Sequence, residues 1–214
     1  MKTIAIMTAY NEDRRIRKTI IGTKKYVDKV IVVDDGSTDN TSVVSKKAGA
    51  LVIKYGVNRG KGYALRIGLK KAISMKSDIV ILLDADGQHR PDYIPKFLEK
   101  IKDGYDYVYG KRNLEKYPLS RKIGNFGLTL LTNLLCPTGI TDTECGYRAL
   151  TINVANKISL KDNRYGVEMD FAYSAWKNKF KIGRVNIVVP VFHPKSAVVR
   201  GFKNFIYIMK RRFS

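Results

Sequence analysis

Several features are scarce in this chain of 214 residues: it has two cysteines, one tryptophan, six prolines, and 19 acidic residues against 40 lysines and arginines. Cys136 and Cys145 form no C-x-x-C pair, which disfavours a disulfide framework or a structural zinc site and favours a reducing compartment. No apolar run reaches the roughly 18 residues that a membrane-spanning helix needs. Residues 1–15 contain too short an apolar stretch for a signal peptide and are interpreted as containing the first strand.

The shortage of acidic residues leaves a formal charge of +21, and residues 171–214 carry ten basic residues and no acidic one. Such an excess does not help folding; it indicates a polyanionic partner, which could be a nucleic acid, an anionic membrane surface or phosphorylated substrates. An apolar content of 44% is enough for a packed core and excludes a wholly disordered chain. We predict one domain over residues 1–195, followed by a basic amphipathic helix over 196–214.

Short apolar runs alternate with amphipathic segments through the first half of the chain. The runs are rich in β-branched residues and predict buried strands at 3–9, 30–33, 51–54 and 79–83. The segments between them have helical spacing and lie at 13–26, 41–48, 62–75 and 91–102. This alternation predicts an α/β fold, with a mostly parallel, Rossmann-like sheet flanked by helices on both faces.

The second half is less regular, with strands predicted at 106–110 and 181–189 and helices at 120–136, 168–178 and 202–213. Six large apolar residues of helix 120–136 lie broadly on one side, and we interpret part of that side as packing on the core or on a dimer partner. Helix 202–213 carries an apolar stripe beside Lys203, Lys210, Arg211 and Arg212. It is expected either to cover the core or to dock on an anionic membrane.

The strongest chemical signal is Asp84-Ala85-Asp86-Gly87-Gln88-His89, which follows an apolar strand. Residues i and i+2 of an extended chain face the same way, so Asp84 and Asp86 would present two carboxylates at the carboxyl end of that strand, where open α/β sheets bind ligands. With the amide oxygen of Gln88 they form a predicted Mg²⁺ or Mn²⁺ site suited to a nucleotide diphosphate. The alternative is an ordinary acidic loop.

Three further segments lie at or near strand ends. Val32-Val33-Asp34-Asp35-Gly36 could let Asp35 bond a nucleobase or ribose, or be a plain turn with Asp39 capping the next helix. Thr8-Ala9-Tyr10-Asn11-Glu12 offers an aromatic face and a carboxylate to a nucleoside. Asn58-Arg59-Gly60-Lys61-Gly62 matches neither a P-loop nor a dinucleotide fingerprint, yet could place Lys61 near a diphosphate.

In this order, these motifs resemble those of the family 2 glycosyltransferases with the GT-A fold. Within that family they resemble the polyprenol-phosphate sugar transferases, of which dolichyl-phosphate mannose synthase is the best-known type. The resemblance runs over about residues 3–190 and includes Gly110-Lys111-Arg112 and the segment Asp142 to Arg148. Thr8 stands where the group has proline, and His193-Pro194-Lys195-Ser196 replaces its usual last motif.

The resemblance implies a role for particular side chains. Donor contacts are implied for Thr8, Tyr10, Glu12, Val33, Asp35, Asp84 and Ala85, and metal contacts for Asp86 and Gln88. Arg112 and Arg121 fall where the group holds donor or acceptor phosphates, and Arg148, Lys195 and Arg200 are further candidates for the acceptor phosphate. We therefore predict catalytic roles for Asp86, Arg112 and Asp142.

The predicted reaction transfers a sugar, with inversion, from GDP-mannose or UDP-glucose to a polyprenyl or dolichyl phosphate, so the enzyme would be a metal-dependent hexosyltransferase. An anionic phosphate acceptor needs no general base, whereas a hydroxyl acceptor would need a carboxylate base, for which Asp142 is preferred and Glu168 or Asp170 comes next. The runner-up is therefore a transferase that extends a glycan or another hydroxyl acceptor.

A lipid acceptor predicts peripheral attachment to the membrane from the cytoplasm and leaves open whether a membrane-anchor subunit takes part. Nucleic-acid binding is the alternative hypothesis that the +21 charge suggests. We predict no nucleic-acid partner, because the acidic clusters at the strand ends would repel a phosphate backbone. A sugar-phosphate nucleotidyltransferase is disfavoured because Ala9-Tyr10-Asn11-Glu12, not a glycine-rich basic loop, follows the first strand.

Overall fold

A computed structural model describes residues 1–115, 117–164, 166–190 and 207–209 of the chain. Within these ranges no helix is both long and apolar enough to cross a bilayer. The predicted boundary between residues 195 and 196 lies outside the described residues, as does most of the predicted helix 202–213.

Seven strands form one sheet, in the order β3-β2-β1-β4-β6-β5-β7. The strands are β1 (Thr3–Ala9), β2 (Lys29–Asp34), β3 (Leu51–Lys54), β4 (Ile79–Leu82), β5 (Tyr107–Arg112), β6 (Arg148–Thr151) and β7 (Ile182–Ile187). All neighbouring pairs are parallel except those that involve β6, which runs antiparallel to both β4 and β5. The mostly parallel sheet that the sequence predicts is therefore confirmed.

The helices cover both faces of this sheet. They are α1 (Ile16–Thr23), α2 (Thr41–Lys47), α3 (Lys61–Ser74), α4 (Ile94–Lys102), α5 (Leu119–Leu135), α6 (Ile152–Lys157) and α7 (Val167–Lys177). One core packs α1, α2 and α4 against one face, and a second core packs α3, α6 and α7 against the other. Alternate residues of β1 point into the two cores, which explains why the strand reads as a continuous apolar run rather than an alternating one.

The predicted elements of the first half match the structure within a few residues, and Pro91 begins a short 3₁₀ turn that leads into α4. The sequence missed β6 and α6. The strand has four residues and the helix six, so neither offers a window long enough for periodicity to be recognised.

The sequence predicts that the apolar side of helix 120–136 packs in part on the core or on a dimer partner; packing on the core is wrong for most of its residues, and packing on a dimer partner stays a prediction. Ile123, Phe126, Leu130 and Leu134 of α5 lie exposed, whereas Asn125, Leu128, Thr129 and Thr132 are buried. From the predicted helix 202–213 only residues 207–209 are described. There Ile208, which is not part of the predicted apolar stripe, is buried against Leu128 and Met169.

Candidate active site

The candidate residues meet at one edge of the sheet because β1, β2 and β4 are parallel neighbours. Register pairs Ala9 with Asp34 and Ile6 with Leu82, so the segments that follow these strands leave the sheet side by side. The loop after β1 and the turn after β2 are hydrogen-bonded to each other, since the backbone amide of Asn11 donates to Ser37 Oγ at 3.0 Å. The antiparallel β6 begins at this same edge and brings Arg148 opposite Leu82.

A chain of alternating charges runs inward from this edge. Lys61 Nζ lies 2.9 Å from Asp84 Oδ1 and 3.1 Å from Glu168 Oε1, and Glu168 Oε2 pairs with Arg148. Burial alone would lower the pKa of Lys61, but the two carboxylates raise it above its usual value. Burial likewise would raise the pKa of Asp84, but Lys61 holds it well below its usual range. Lys61 and Asp84 are therefore a charged pair at neutral pH.

His89 supports Asp84 from the other side. The Asp84 backbone amide donates to His89 Nδ1 at 3.0 Å, and the imidazole packs on the Tyr147 ring at 5.0 Å between centroids. Burial lowers the pKa of His89 below its usual value. The imidazole is therefore neutral, with Nδ1 as an acceptor, and it orients the loop rather than forming an ion pair with the Asp84 carboxylate 3.5 Å away.

Asp86 and Gln88 lie at the mouth of this site, and both are partly exposed. The Gln88 side-chain amide donates to Asp86 Oδ2 at 2.6 Å, and its backbone amide donates to Asp86 Oδ1 at 2.9 Å. Burial and the charge of Asp84 raise the pKa of Asp86. Burial, with added repulsion from Asp86 and Asp84, also raises the pKa of Glu12. Negative charge thus accumulates here without full neutralisation by the protein, although the chain as a whole is strongly basic.

The predicted donor set fits a hard divalent cation in its chemistry, because Asp84, Asp86 and Gln88 offer carboxylate and amide oxygens. Among the described residues, no group of three or more His, Cys, Asp or Glu side chains could hold an ion. A Mg²⁺-like ion commonly takes one or two carboxylates from the protein and the remaining ligands from water and substrate phosphates. The residues at the mouth of the site fit that mode of binding.

Arg112 and Asp142 form a fork-shaped ion pair at the end of β5. Arg112 Nε donates to Asp142 Oδ2 and Nη2 donates to Oδ1, both at 2.7 Å, and Nη2 also reaches Asn125 Oδ1 of α5 at 3.3 Å. Asp142 is 2% exposed. Burial alone would lower the pKa of Arg112, but Asp142 raises it above its usual value. Two parallel bonds fix the plane of the guanidinium at the edge of the site.

Residues 4–158 match the family described as Glycosyl transferase family 2. The chain belongs to this family. It is 40% identical over 191 residues to an uncharacterized protein of Methanocaldococcus jannaschii, in an alignment covering 85% of this chain and 79% of that protein. It is 35% identical to the UDP-N-acetylglucosamine–dolichyl-phosphate N-acetylglucosaminyltransferase of Methanococcus voltae, over 95% of this chain and 93% of that one.

Solved structures give the same fold. Glucosyl-3-phosphoglycerate synthase from Mycobacterium tuberculosis, crystallised with Mn²⁺, UDP and glucosyl-3-phosphoglycerate, superposes with a TM-score of 0.80. The match covers 99% of this chain and 80% of that one at 21% identity. The resemblance inferred from the motifs and the GT-A type of fold are confirmed, and the protein is a glycosyltransferase.

Asp35 of this glycosyltransferase lies within the predicted donor region but is engaged by the protein. It is 4% exposed, and its two oxygens accept from the backbone amides of Arg59 at 2.7 Å and Gly60 at 2.8 Å. It thereby fixes the turn that precedes Lys61. Gly60 has a φ of +100°, and a Cβ there would lie 2.3 Å from the Asn163 carbonyl oxygen, so this turn requires glycine.

Three residues that were predicted to contact the donor or the acceptor phosphate have buried side chains. Arg148 is 2% exposed; it pairs with Glu168, donates to the Tyr107 hydroxyl at 2.8 Å and stacks on Phe171, so it belongs to the interior and is not placed to hold an acceptor phosphate. Val33 and Ala85 are 0% and 2% exposed. Their side chains pack in the core and cannot line a donor pocket, which leaves only their backbone atoms for such a contact.

The remaining predicted residues are distributed as follows. Tyr10 is exposed and Thr8 partly exposed beside the acidic mouth, and Arg121 stands over the Tyr117 ring at 5.7 Å near the start of α5. Lys195 and Arg200 lie outside the described residues. No sequence pattern indicated Asn125 as a partner of Arg112 or Glu168 as the bridge between Lys61 and Arg148. The role of His89 as acceptor of the Asp84 backbone amide was not predicted either, although His89 ends the D-A-D-G-Q-H segment.

Proposed function

We propose that this glycosyltransferase moves a hexose or N-acetylhexosamine, with inversion, from a nucleoside diphosphate sugar to a polyprenyl or dolichyl phosphate at a membrane surface. The name of the Methanococcus voltae relative supports a dolichyl-phosphate acceptor and a UDP-sugar donor. UDP-glucose and GDP-mannose are the alternative donors.

The state of the candidate general bases carries this proposal. Asp142 has both oxygens bound by Arg112. Glu168 is clamped between Lys61 and Arg148; burial alone would raise its pKa, but the two cations hold it below the usual value. Asp170 is 0% exposed and accepts from the backbone amides of Lys161 and Asp162. Because cations or backbone amides already engage the oxygens of these carboxylates, they are poorly placed to approach a substrate hydroxyl, so an acceptor that is already anionic suits the site better than a hydroxyl.

The leaving group places a separate demand on the site. A departing nucleoside diphosphate carries negative charge that must be stabilised. Asp86, Gln88 and Asp84 would hold a Mg²⁺ or Mn²⁺ ion, which when bound neutralises diphosphate charge. Lys61, fixed between Asp84 and Glu168, adds a cationic group whose position is set before the donor arrives.

Arg112 and Arg121 support the acceptor side of the proposal. The Asp142 fork and Asn125 orient Arg112 at the edge of the site. Arg121, in the first turn of α5, stands over the Tyr117 ring. Burial raises the pKa of the Tyr117 hydroxyl, and both guanidinium groups are close enough to oppose that rise. Two guanidinium groups can bind a phosphate monoester while its oxygen attacks the anomeric carbon.

The test is a matched pair of acceptors with a panel of donors. Purified protein with Mg²⁺ or Mn²⁺ is given UDP-N-acetylglucosamine, UDP-glucose or GDP-mannose, together with a short-chain polyprenyl phosphate or the same polyprenol without phosphate. We expect release of nucleoside diphosphate and a glycosylated lipid with the phosphate acceptor only. Glycosylation of the alcohol, or failure of the phosphate with every donor, would overturn the proposal.

A further inference from the structure

Helix α5 presents large apolar side chains to solvent along its whole length. The exposed residues recur at spacings of three and four, so they share one side of the helix, which we name the α5 stripe. Its members and their exposed fractions are Leu119 71%, Ile123 62%, Phe126 68%, Leu130 48% and Leu134 72%. Contiguous exposed apolar surface of this kind marks an interaction site.

The side of α5 that faces the protein is largely polar, whereas a helix that covers a core normally turns its apolar side inward. Asn125, Thr129 and Thr132 are buried there, and Thr129 Oγ1 lies 3.3 Å from Thr143 Oγ1. Ile208 from the C-terminal region packs on this inner side, against Leu128 and Cys136, and so does not cover the stripe. The helix turns hydrogen-bonding groups toward the protein and its most apolar residues outward.

We propose that the α5 stripe is the surface on which this protein docks to an anionic lipid bilayer. The proposal rests on the function proposed above, for which the lipid acceptor must be reached in its membrane. An apolar helix face inserts into the headgroup region while neighbouring cations meet anionic lipids. Helix α5 carries Arg121 and Lys122 and no acidic residue.

Charge favours a bilayer over a second copy of the chain as the occupant. Two copies would bring like-charged helices together in a protein of formal charge +21. An anionic leaflet instead neutralises the basic groups that flank the stripe, at about 1 kcal/mol per basic residue near the surface.

The position of α5 relative to the candidate active site also fits a bilayer. Asn125, on the inner side of the helix, accepts from Arg112 Nη2 at 3.3 Å, so the helix that carries the stripe is also a wall of the site. A polyprenyl chain could therefore stay in the bilayer beneath the stripe while its phosphate approaches Arg112.

The experiment compares vesicle binding by the wild-type protein and a double variant, F126Q/L130Q. Flotation uses vesicles of phosphatidylcholine with phosphatidylglycerol, and vesicles of phosphatidylcholine alone. The matched control is I21Q/V43Q, which removes exposed apolar residues from α1 and α2 instead. We expect the wild type and the control to bind the anionic vesicles, and F126Q/L130Q to bind them roughly tenfold or more weakly.

Turnover separates this inference from the proposed function. With a water-soluble short-chain polyprenyl phosphate all three proteins should react at similar rates, whereas with the acceptor embedded in vesicles F126Q/L130Q should be slower. Equal vesicle binding by F126Q/L130Q and the wild type, while the soluble acceptor is glycosylated, overturns the docking surface alone. A wild-type dimer that F126Q/L130Q converts to a monomer, with no vesicle binding by either, assigns the stripe to a second copy and also overturns it. A soluble acceptor that no protein glycosylates argues against the proposed function instead.

Discussion

At the scale of single residues, the site depends on pairs that hold one another in place. Lys61 is fixed by Asp84 and Glu168, and Arg112 is fixed by Asp142. Gly146 leaves room for the first pair, since a Cβ there would lie 2.9 Å from Lys61 Nζ and 3.0 Å from Asp84 Oδ2. Preorganised charges of this kind stabilise a developing charge without having to reorganise during the reaction.

Replacing Asp86 tests the acidic mouth of the site. We expect Asp86→Asn to lower the rate of nucleoside diphosphate release by about a hundredfold or more, because the carboxylate that would hold the divalent ion is lost. The thermal midpoint should change little, since Asp86 is partly exposed and its hydrogen bonds come from Gln88. Asp103→Asn, in the exposed turn after α4, is the control. Full activity of Asp86→Asn in metal-free buffer would contradict the assignment.

Replacing Glu168 tests the buried charge chain through its pH dependence. The pKa of Glu168 lies below its ordinary value of 4.5 in the folded protein, so the ionised form favours folding. Its stabilising contribution is therefore present above about pH 4.5 and is lost as the pH falls through the lower folded pKa. Glu168→Gln should reduce the free energy of unfolding by about 3 kcal/mol at neutral pH, because Arg148 stays buried without its counterion.

Urea denaturation over a pH series measures this effect. The wild-type and Glu168→Gln curves should differ at neutral pH and approach each other in acid. The control is Glu99→Gln, which changes an exposed carboxylate on α4 and should follow the wild type. Parallel wild-type and Glu168→Gln curves across the whole range would show that Glu168 does not supply this linkage.

At the scale of elements, the turn between β3 and α3 is stabilised by a residue that follows a different strand. Asp35, at the end of β2, accepts from the backbone amides of Arg59 and Gly60. That turn sets where α3 begins, and Lys61 is the first residue of the helix. The acidic residue at a strand end thus acts on the site through a neighbouring loop.

We expect Asp35→Asn to loosen this turn. Hydrogen bonds to a charged acceptor contribute about 1.5–3 kcal/mol, so amide hydrogen exchange at Arg59 and Gly60 should accelerate roughly tenfold or more. The amides of β1 serve as an internal reference and should keep their rates. The Michaelis constant for the donor should rise, since Lys61 is less firmly positioned. Unchanged exchange at both amides would mean that the turn does not depend on Asp35.

At the scale of the whole molecule, the charge at the candidate active site is opposite in sign to the net charge of the chain. The chain has 21 more basic than acidic residues, yet Glu12, Asp84 and Asp86 gather at one edge of the sheet. The acidic mouth suits a cation-bound diphosphate, and the basic remainder suits an anionic surface.

Salt concentration should affect the basic surface more strongly than the acidic mouth of the site. Raising NaCl from about 50 mM to about 500 mM shortens the Debye length from over 10 Å to roughly 4 Å, so binding to anionic vesicles should weaken strongly. Turnover with a soluble acceptor should change less, because Lys61 and Arg112 are partly buried and held in close ion pairs with carboxylates of the protein. Binding to phosphatidylcholine vesicles is the reference. Adsorption to anionic vesicles that ignores salt would contradict a role for the net charge.

Much of the fold could be predicted because local patterns of apolar residues indicate its strands and helices. The strands of the first half are apolar runs and their helices have regular spacing, so both were placed within a few residues. The gathering of Tyr10, Asp35 and Asp84 at one edge follows from parallel strand order alone. The sequence could not place β6, because four residues that begin with a buried arginine do not resemble a core strand.

The sequence by itself determined the family, the α/β sheet and the acidic segment at residues 84–88, because short motifs and regularly spaced apolar runs of residues adjacent in the chain carry all three. Only the tertiary structure decided which cations those acids and their neighbours meet. Lys61 and Glu168 are 107 residues apart, and they meet because α7 packs on the same sheet face as α3. It likewise decided that α5 turns its apolar side outward, since helical spacing shows that a helix has two sides but not which of them faces the protein.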